Sequence, residues 1–307
     1  MGRRVNMKKL QIILFVAILA AVGFFAWKFI KWDRSGNADA GEEYDTGEDF
    51  DIELADQIFE LSAADLKGKK EDGTDTILCL GNDSFAWDYD NGLCRVLAEK
   101  TGADVRNGAF PGSTITDSDE FSFVNIARDI AEGDFRDLEA PAEALWNDNY
   151  NFQHSLETLR DTDYAALDTM VIFYDAEDYM RQRSPYNPDE DKRKTDTSTV
   201  AGAYSTGIGL IREALPHVRI ILVTPMLVLT YTPEGTPTPA DRYDYGHGKL
   251  DVYVDQIVRT GYEMGVTVLD NYHGMTEDDN ANGYLADTTH LSAAGCAALA
   301  EHIKKVL

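Results

Sequence analysis

The chain has 307 residues, 44% of them hydrophobic, and a formal net charge of −26. That apolar share excludes wholesale disorder, and so acidic a surface repels phosphate backbones, which sets nucleic acid aside as a partner. The three cysteines, Cys79, Cys94 and Cys296, are too few and too scattered for a disulfide framework or a zinc cluster.

Residues 1–9, MGRRVNMKK, are basic, and LQIILFVAILAAVGFFAW (10–27) follows without a charge. At ~1.5 Å per residue this run crosses most of a ~30 Å hydrocarbon core. Phe29 and Ile30 extend it past Lys28, whose stem can snorkel, and Trp27 and Trp32 suit the interface. No small-x-small cleavage site follows, so residues 10–30 read as a transmembrane signal anchor rather than a cleaved signal. Arg3, Arg4, Lys8 and Lys9 put residues 1–9 in the cytoplasm as a basic tail. The strongly acidic remainder, which anionic inner-leaflet lipid would repel, lies outside, at a bacterial cell surface. The membrane is thus the first expected partner.

Residues 31–51 are acidic, glycine-containing and nearly free of large aliphatics, an acidic linker that stands the body off the membrane. IELADQIFELSAADL (52–66) has apolar residues at helical spacing and predicts a lead-in helix. From there apolar runs of strand length recur at 76–80, 103–107, 169–174, 219–225 and 266–270. Helical periodicity fills 92–102, 121–133, 198–215, 249–265 and 292–307. Buried strands alternating with helices predict an α/β body over 52–307, a parallel sheet covered on both faces. In such sheets, polar residues just past the strands' C-terminal ends line one rim, where ligands bind. Polar insertions at 134–152, 181–198 and 231–245 read as walls over that rim.

Four strand ends carry unusual polar groups. They are Gly81-Asn82-Asp83-Ser84, then NGAFPGST (107–114), then Asp175-Ala176-Glu177-Asp178, and last ADTTHLSAAG with Asp287 and His290. A serine hydroxyl needs a base to become a nucleophile. His290 is placed to be that base, with Asp287 orienting it and Ser292 capping the helix that follows. Gly112 offers a backbone N–H to an oxyanion. Each residue alone has a plain structural use: Ser84 as a turn residue, the 107–114 loop as a tight turn, the acids as a solvated surface.

The order GNDS, NGAFPGST, VIFYDAEDY and DTTHLS resembles the SGNH (GDSL-like) hydrolase family. The resemblance covers 75–307 and implies a three-layer α/β/α flavodoxin-like fold and an acyl-ester hydrolase without a cofactor. By it, Ser84, His290 and Asp287 are the catalytic triad. Ser84, Gly112 and the residue at Glu177 would form the oxyanion hole. GNDS is one residue longer than the family's G-D/N-S turn, so either Ser84 or Asp83 stands in the nucleophile's place. Glu177 replaces the family's asparagine and Asp175 its glycine. An amide donates to an oxyanion and a carboxylate repels it; losing one donor costs ~2.7–4 kcal/mol.

Three functions fit this pattern. The first is a tethered serine esterase acting on an acylated glycan or another cell-envelope ester. The second is an inactive relative that binds cell-surface glycan or lipid. The third is a divalent-cation site built from Asp83, Asp175, Glu177 and Asp178, beside His290.

Overall fold

The computed structural model describes residues 56–87, 92–145, 152–274 and 281–307. The basic tail, the expected span at 10–30 and the acidic linker lie outside the described residues, and among those described no helix is long and apolar enough to cross a membrane.

Five parallel strands make the central sheet: β1 (Thr76–Gly81), β2 (Asp104–Asn107), β3 (Thr169–Phe173), β4 (Arg219–Val223) and, after a small hairpin, β7 (Thr267–Leu269). Their order is β2-β1-β3-β4-β7, with Leu80 opposite Ile172 and Ile172 opposite Leu222. Every residue of β1 and β3 is buried, as unbroken apolar runs such as TILCL and TMVIF demand when both faces are covered. The antiparallel hairpin joins β5 (Leu229–Tyr231) to β6 (Pro237–Pro239).

The helices that cover the sheet are α1 (Leu93–Thr101), α2 (Phe123–Glu132), α3 (Phe152–Asp161), α4 (Val200–Ala214), α5 (Leu250–Met264) and α6 (Ala293–Val306). Helices α1 and α6 pack together on one side; α4 packs between α2 and α5 on the other. Their ends are written in the sequence. Thr199 and Ser292 accept the N–H of Gly202 and Gly295 at the starts of α4 and α6. Left-handed Gly102, Gly133 and Gly265 stop α1, α2 and α5. The layered α/β expectation therefore holds.

The lead-in helix does not form over the described part of 52–66. Gln57 instead pairs antiparallel with Val268, exchanging both backbone hydrogen bonds at 2.8 Å. An open edge on β7 has backbone groups to satisfy, and an extended strap satisfies them where a helix could not. The strap starts beside Asp270 at the strands' C-terminal end, where Asp56 accepts the Asp270 N–H and meets His302 Nε2 at 2.7 Å. It then runs to the opposite end of the sheet. The insertion from 134 also begins at that opposite end rather than on the rim. Phe135 stacks on Tyr164, which precedes β3.

Gly81 closes β1 against β3 so tightly that a Cβ there would lie 2.0 Å from the Phe173 carbonyl oxygen. Backbone cannot yield as a side-chain tip does. Gly81→Ala should cost at least about 1–3 kcal/mol of stability in urea unfolding; a loss within error would show that the two strands can part there freely.

Candidate active site

The rim at the C-terminal ends of β1, β3 and β7 gathers the expected residues, with one exchange. Asn82 follows β1 and is fully buried. Its Nδ2 donates to Asp175 Oδ1 (2.7 Å) and to the Ser113 carbonyl (3.3 Å), while its Oδ1 accepts the Asp175 N–H (3.1 Å). A single helical turn, Asp83–Ala86, begins on the next residue. Successive side chains on such a turn point about 100° apart, so Asp83 and Ser84 cannot both face the rim.

Asp83 faces it. Its Oδ2 accepts the Gly112 N–H at 2.7 Å, and its Oδ1 lies 3.9 Å from His290 Nε2, beyond hydrogen-bond reach. Ser84 is buried, and among the described residues its Oγ has no hydrogen-bond partner. The expectation of a Ser84–His290 pair is corrected: the turn's register puts Asp83 where that hydroxyl was expected.

The histidine side of the site is assembled as expected. His290 Nδ1 meets Asp287 Oδ2 at 2.7 Å, and Asp287 Oδ1 accepts the N–H groups of Thr289 and His290. Burial pushes the Asp287 carboxyl up, but those two N–H donors and the imidazole outweigh it and hold its pKa below the ordinary range. The loop is braced by Ala286 donating to the His290 carbonyl and by the Ser292 cap. Trp87 stacks on the imidazole with centroids 4.0 Å apart.

Gly112 also takes its expected place. Its positive φ of 67° needs a glycine and turns its N–H toward Asp83. Its carbonyl accepts from Arg181 Nη2 at 2.8 Å. Arg181 Nε in turn holds Glu177 Oε1 at 2.6 Å, so Glu177 is engaged by a guanidinium and does not serve as an oxyanion donor.

The other two acids lie beneath the crevice. Asp178 is buried and accepts from Ile115 N, Thr116 N and Thr116 Oγ1, pinning the loop after β2. Asp175 is buried against Asn82. The alternative divalent-cation site at Asp83, Asp175, Glu177 and Asp178, beside His290, does not assemble, because the four acids turn oxygens to separate partners. Among the described residues no group of three acids, histidines or cysteines could hold a metal ion.

Three contributors were not foreseen. Arg181 stands four residues after Glu177, a helical-pair spacing that could have suggested it. Trp87 closes the same turn as Asp83. Asn82 was visible only as part of GNDS.

A model of the GDSL-like lipase/acylhydrolase family matches residues 79–298. The chain belongs to that family. No curated protein matches it. Among solved structures, a protein from Lactobacillus plantarum is 17% identical, with 76% of this chain and 95% of that one covered and a TM-score of 0.52. A possible lipase from Chitinophaga pinensis is 16% identical, with 75% and 96% covered and a TM-score of 0.51. At such identities the likeness shows a shared fold. GDSL membership supports hydrolase chemistry, and the residue that faces His290 across the crevice is Asp83.

Burial raises the Asp175 pKa well above the ordinary carboxylate value, with the charges of Asp83 and Glu177 adding to it. Stability from this group is thus fullest below the unfolded value of about 4 and is lost as pH climbs toward the folded one. Asp175→Asn, neutral throughout, should stabilise the fold relative to wild type at about pH 7 and give no such gain at about pH 4. Urea midpoints shifted equally at both pH values would refute the assignment.

Proposed function

We propose that this GDSL-family protein is a membrane-tethered, extracytoplasmic binder of a neutral or amine-bearing envelope glycan, one that does not turn over esters through a serine. The observation that carries this is the Asp83 carboxylate on the Gly112 N–H. A carboxylate attacking an ester must expel an alkoxide far more basic than itself, so the adduct collapses backward. The same carboxylate also fills the donor that an oxyanion would need, a donor worth ~2.7–4 kcal/mol in active relatives of this chemistry.

What remains is suited to holding hydroxyl or amine groups. Asp83, Asp287 and His290 bring acceptors together at one place, and an anionic ligand would meet repulsion from Asp83. The basic, apolar N-terminus supports a tether, and the acidic body supports an extracytoplasmic position.

A second reading is favoured by the intact His290–Asp287 pair at 2.7 Å. Here the imidazole takes a proton from water, which attacks the ester directly.

A fluorophosphonate probe separates these readings. Wild type should remain unlabelled, Ser84→Ala should change nothing, and Asp83→Ser should gain labelling and turnover of an activated acetate ester. Labelling of wild type that disappears in Ser84→Ala would restore the serine esterase. Probe-resistant ester hydrolysis lost in His290→Asn would select the water mechanism. Retention of an envelope glycan by wild type, weakened in Asp83→Ala, is the expected positive result.

A further inference from the structure

Two acceptors face each other across the crevice. The Asp287 carboxylate, whose pKa is lowered, can only accept, so His290 donates the 2.7 Å bond between them from Nδ1. In the neutral ring this fixes the tautomer and leaves Nε2 as a lone pair. That lone pair stands 3.9 Å from Asp83 Oδ1, while Asp83 Oδ2 is taken by the Gly112 N–H. Both groups keep surface to meet a ligand, the Asp83 side chain being 18% exposed and that of His290 25%. Trp87, stacked on the imidazole with the rings 24° from parallel, holds the ring plane and with it the direction of Nε2.

Only a group that donates twice answers both atoms. A nitrogen ~2.8 Å from each would see them about 90° apart, close enough to the spread of an ammonium's N–H bonds for two charge-assisted hydrogen bonds. A hydroxyl or an acetamido N–H donates once and leaves one acceptor unmet. Water donates twice but brings no charge. A metal ion needs more ligands than this pair supplies, and among the described residues no group of three acids, histidines or cysteines could hold one.

The surrounding charge also favours a cation. Arg181, the base beside Gly112, is paired with Glu177 at 2.6 Å, and burial pushes Asp175 toward its neutral form. Asp83 and Asp287 are left as two negative charges around a neutral imidazole. Arg181 in turn indicates what carries the ammonium. Its Nη2 donates to the carbonyl of the same Gly112 whose N–H meets Asp83, and its side chain is 41% exposed. A guanidinium has N–H groups beyond the two given to Gly112 and Glu177. An amino sugar has oxygens on the carbons flanking its ammonium to accept them, whereas a lysine side chain has only methylenes.

We infer that the crevice recognises the free primary ammonium of a de-N-acetylated hexosamine unit, bridged between Asp83 Oδ1 and His290 Nε2, with a flanking sugar oxygen on Arg181. The assignment rests on the reading of the crevice as a glycan site and narrows it to one functional group.

Ligand-observed NMR titration of the full chain in lipid nanodiscs tests it. The ligands are an N-acetylglucosamine trisaccharide with one free amine, its fully acetylated counterpart, and Nα-acetyl-lysine amide. The free-amine trisaccharide should bind about tenfold more tightly than either of the others, the equivalent of one charge-assisted hydrogen bond. Asp83→Asn, which still offers an acceptor to Gly112, should keep the melting temperature and bring the two trisaccharides to within about twofold of each other. Equal affinity of wild type for both trisaccharides would overturn the inference and leave glycan binding in place. So would a preference that survives in Asp83→Asn. Tighter binding of the lysine amide would assign the ammonium to a peptide and overturn it as well. Binding of neither trisaccharide would sink the glycan reading along with it.

Discussion

The crevice depends on one buried amide. Asn82 exchanges two hydrogen bonds with Asp175, across β1 and β3, and a third with the loop after β2. Buried polar groups are costly unless paired, so this amide has few other places to go. Once it is fixed, the next residue begins the helical turn and faces Gly112. The identity of residue 83, not of residue 84, then decides what chemistry the rim offers. A serine one position along the chain is, by the geometry of a helix, on the wrong side.

The acids of the rim illustrate how the same side chain serves different ends under different burial. Asp178 spends its oxygens on backbone N–H groups and acts as a clasp. Asp175 is sunk next to an amide and is pushed toward its neutral form. Glu177 is drawn to a guanidinium. Asp287 is the one whose surroundings lower its pKa and whose partner is the imidazole. Asp83 and Asp287 both face a backbone donor and His290, Asp83 at 3.9 Å on the Nε2 side and Asp287 at 2.7 Å on the Nδ1 side. In a chain this acidic, function cannot be inferred from the presence of a carboxylate; it follows from what each oxygen is bonded to.

Much of the architecture was legible in the sequence because its signals are local. Runs of strand length located all five sheet strands, and Ser292 marked the start of α6. Helix α3 escaped because FQHSLETLRD offers few large apolar residues and follows a polar insertion. The strap was misread for the opposite reason. Its apolar spacing suits a helix, yet the unsatisfied edge of β7 supplies a stronger, non-local demand. The site was legible as a set of blocks, including Asp287 and His290. Its register was not, since GNDS places Asp83 and Ser84 equally well until the Asn82–Asp175 bond and the Gly112 N–H are seen together.

The antiparallel course of the strap fixes which two corners of the body it joins. Because Gln57 runs counter to β7, Asp56 sits at the end where His290 and Asp83 gather. The strap therefore ties the crevice's own shoulder, where Asp56 meets His302, to the far pole of the sheet, where Lys70 meets the Ala165 carbonyl.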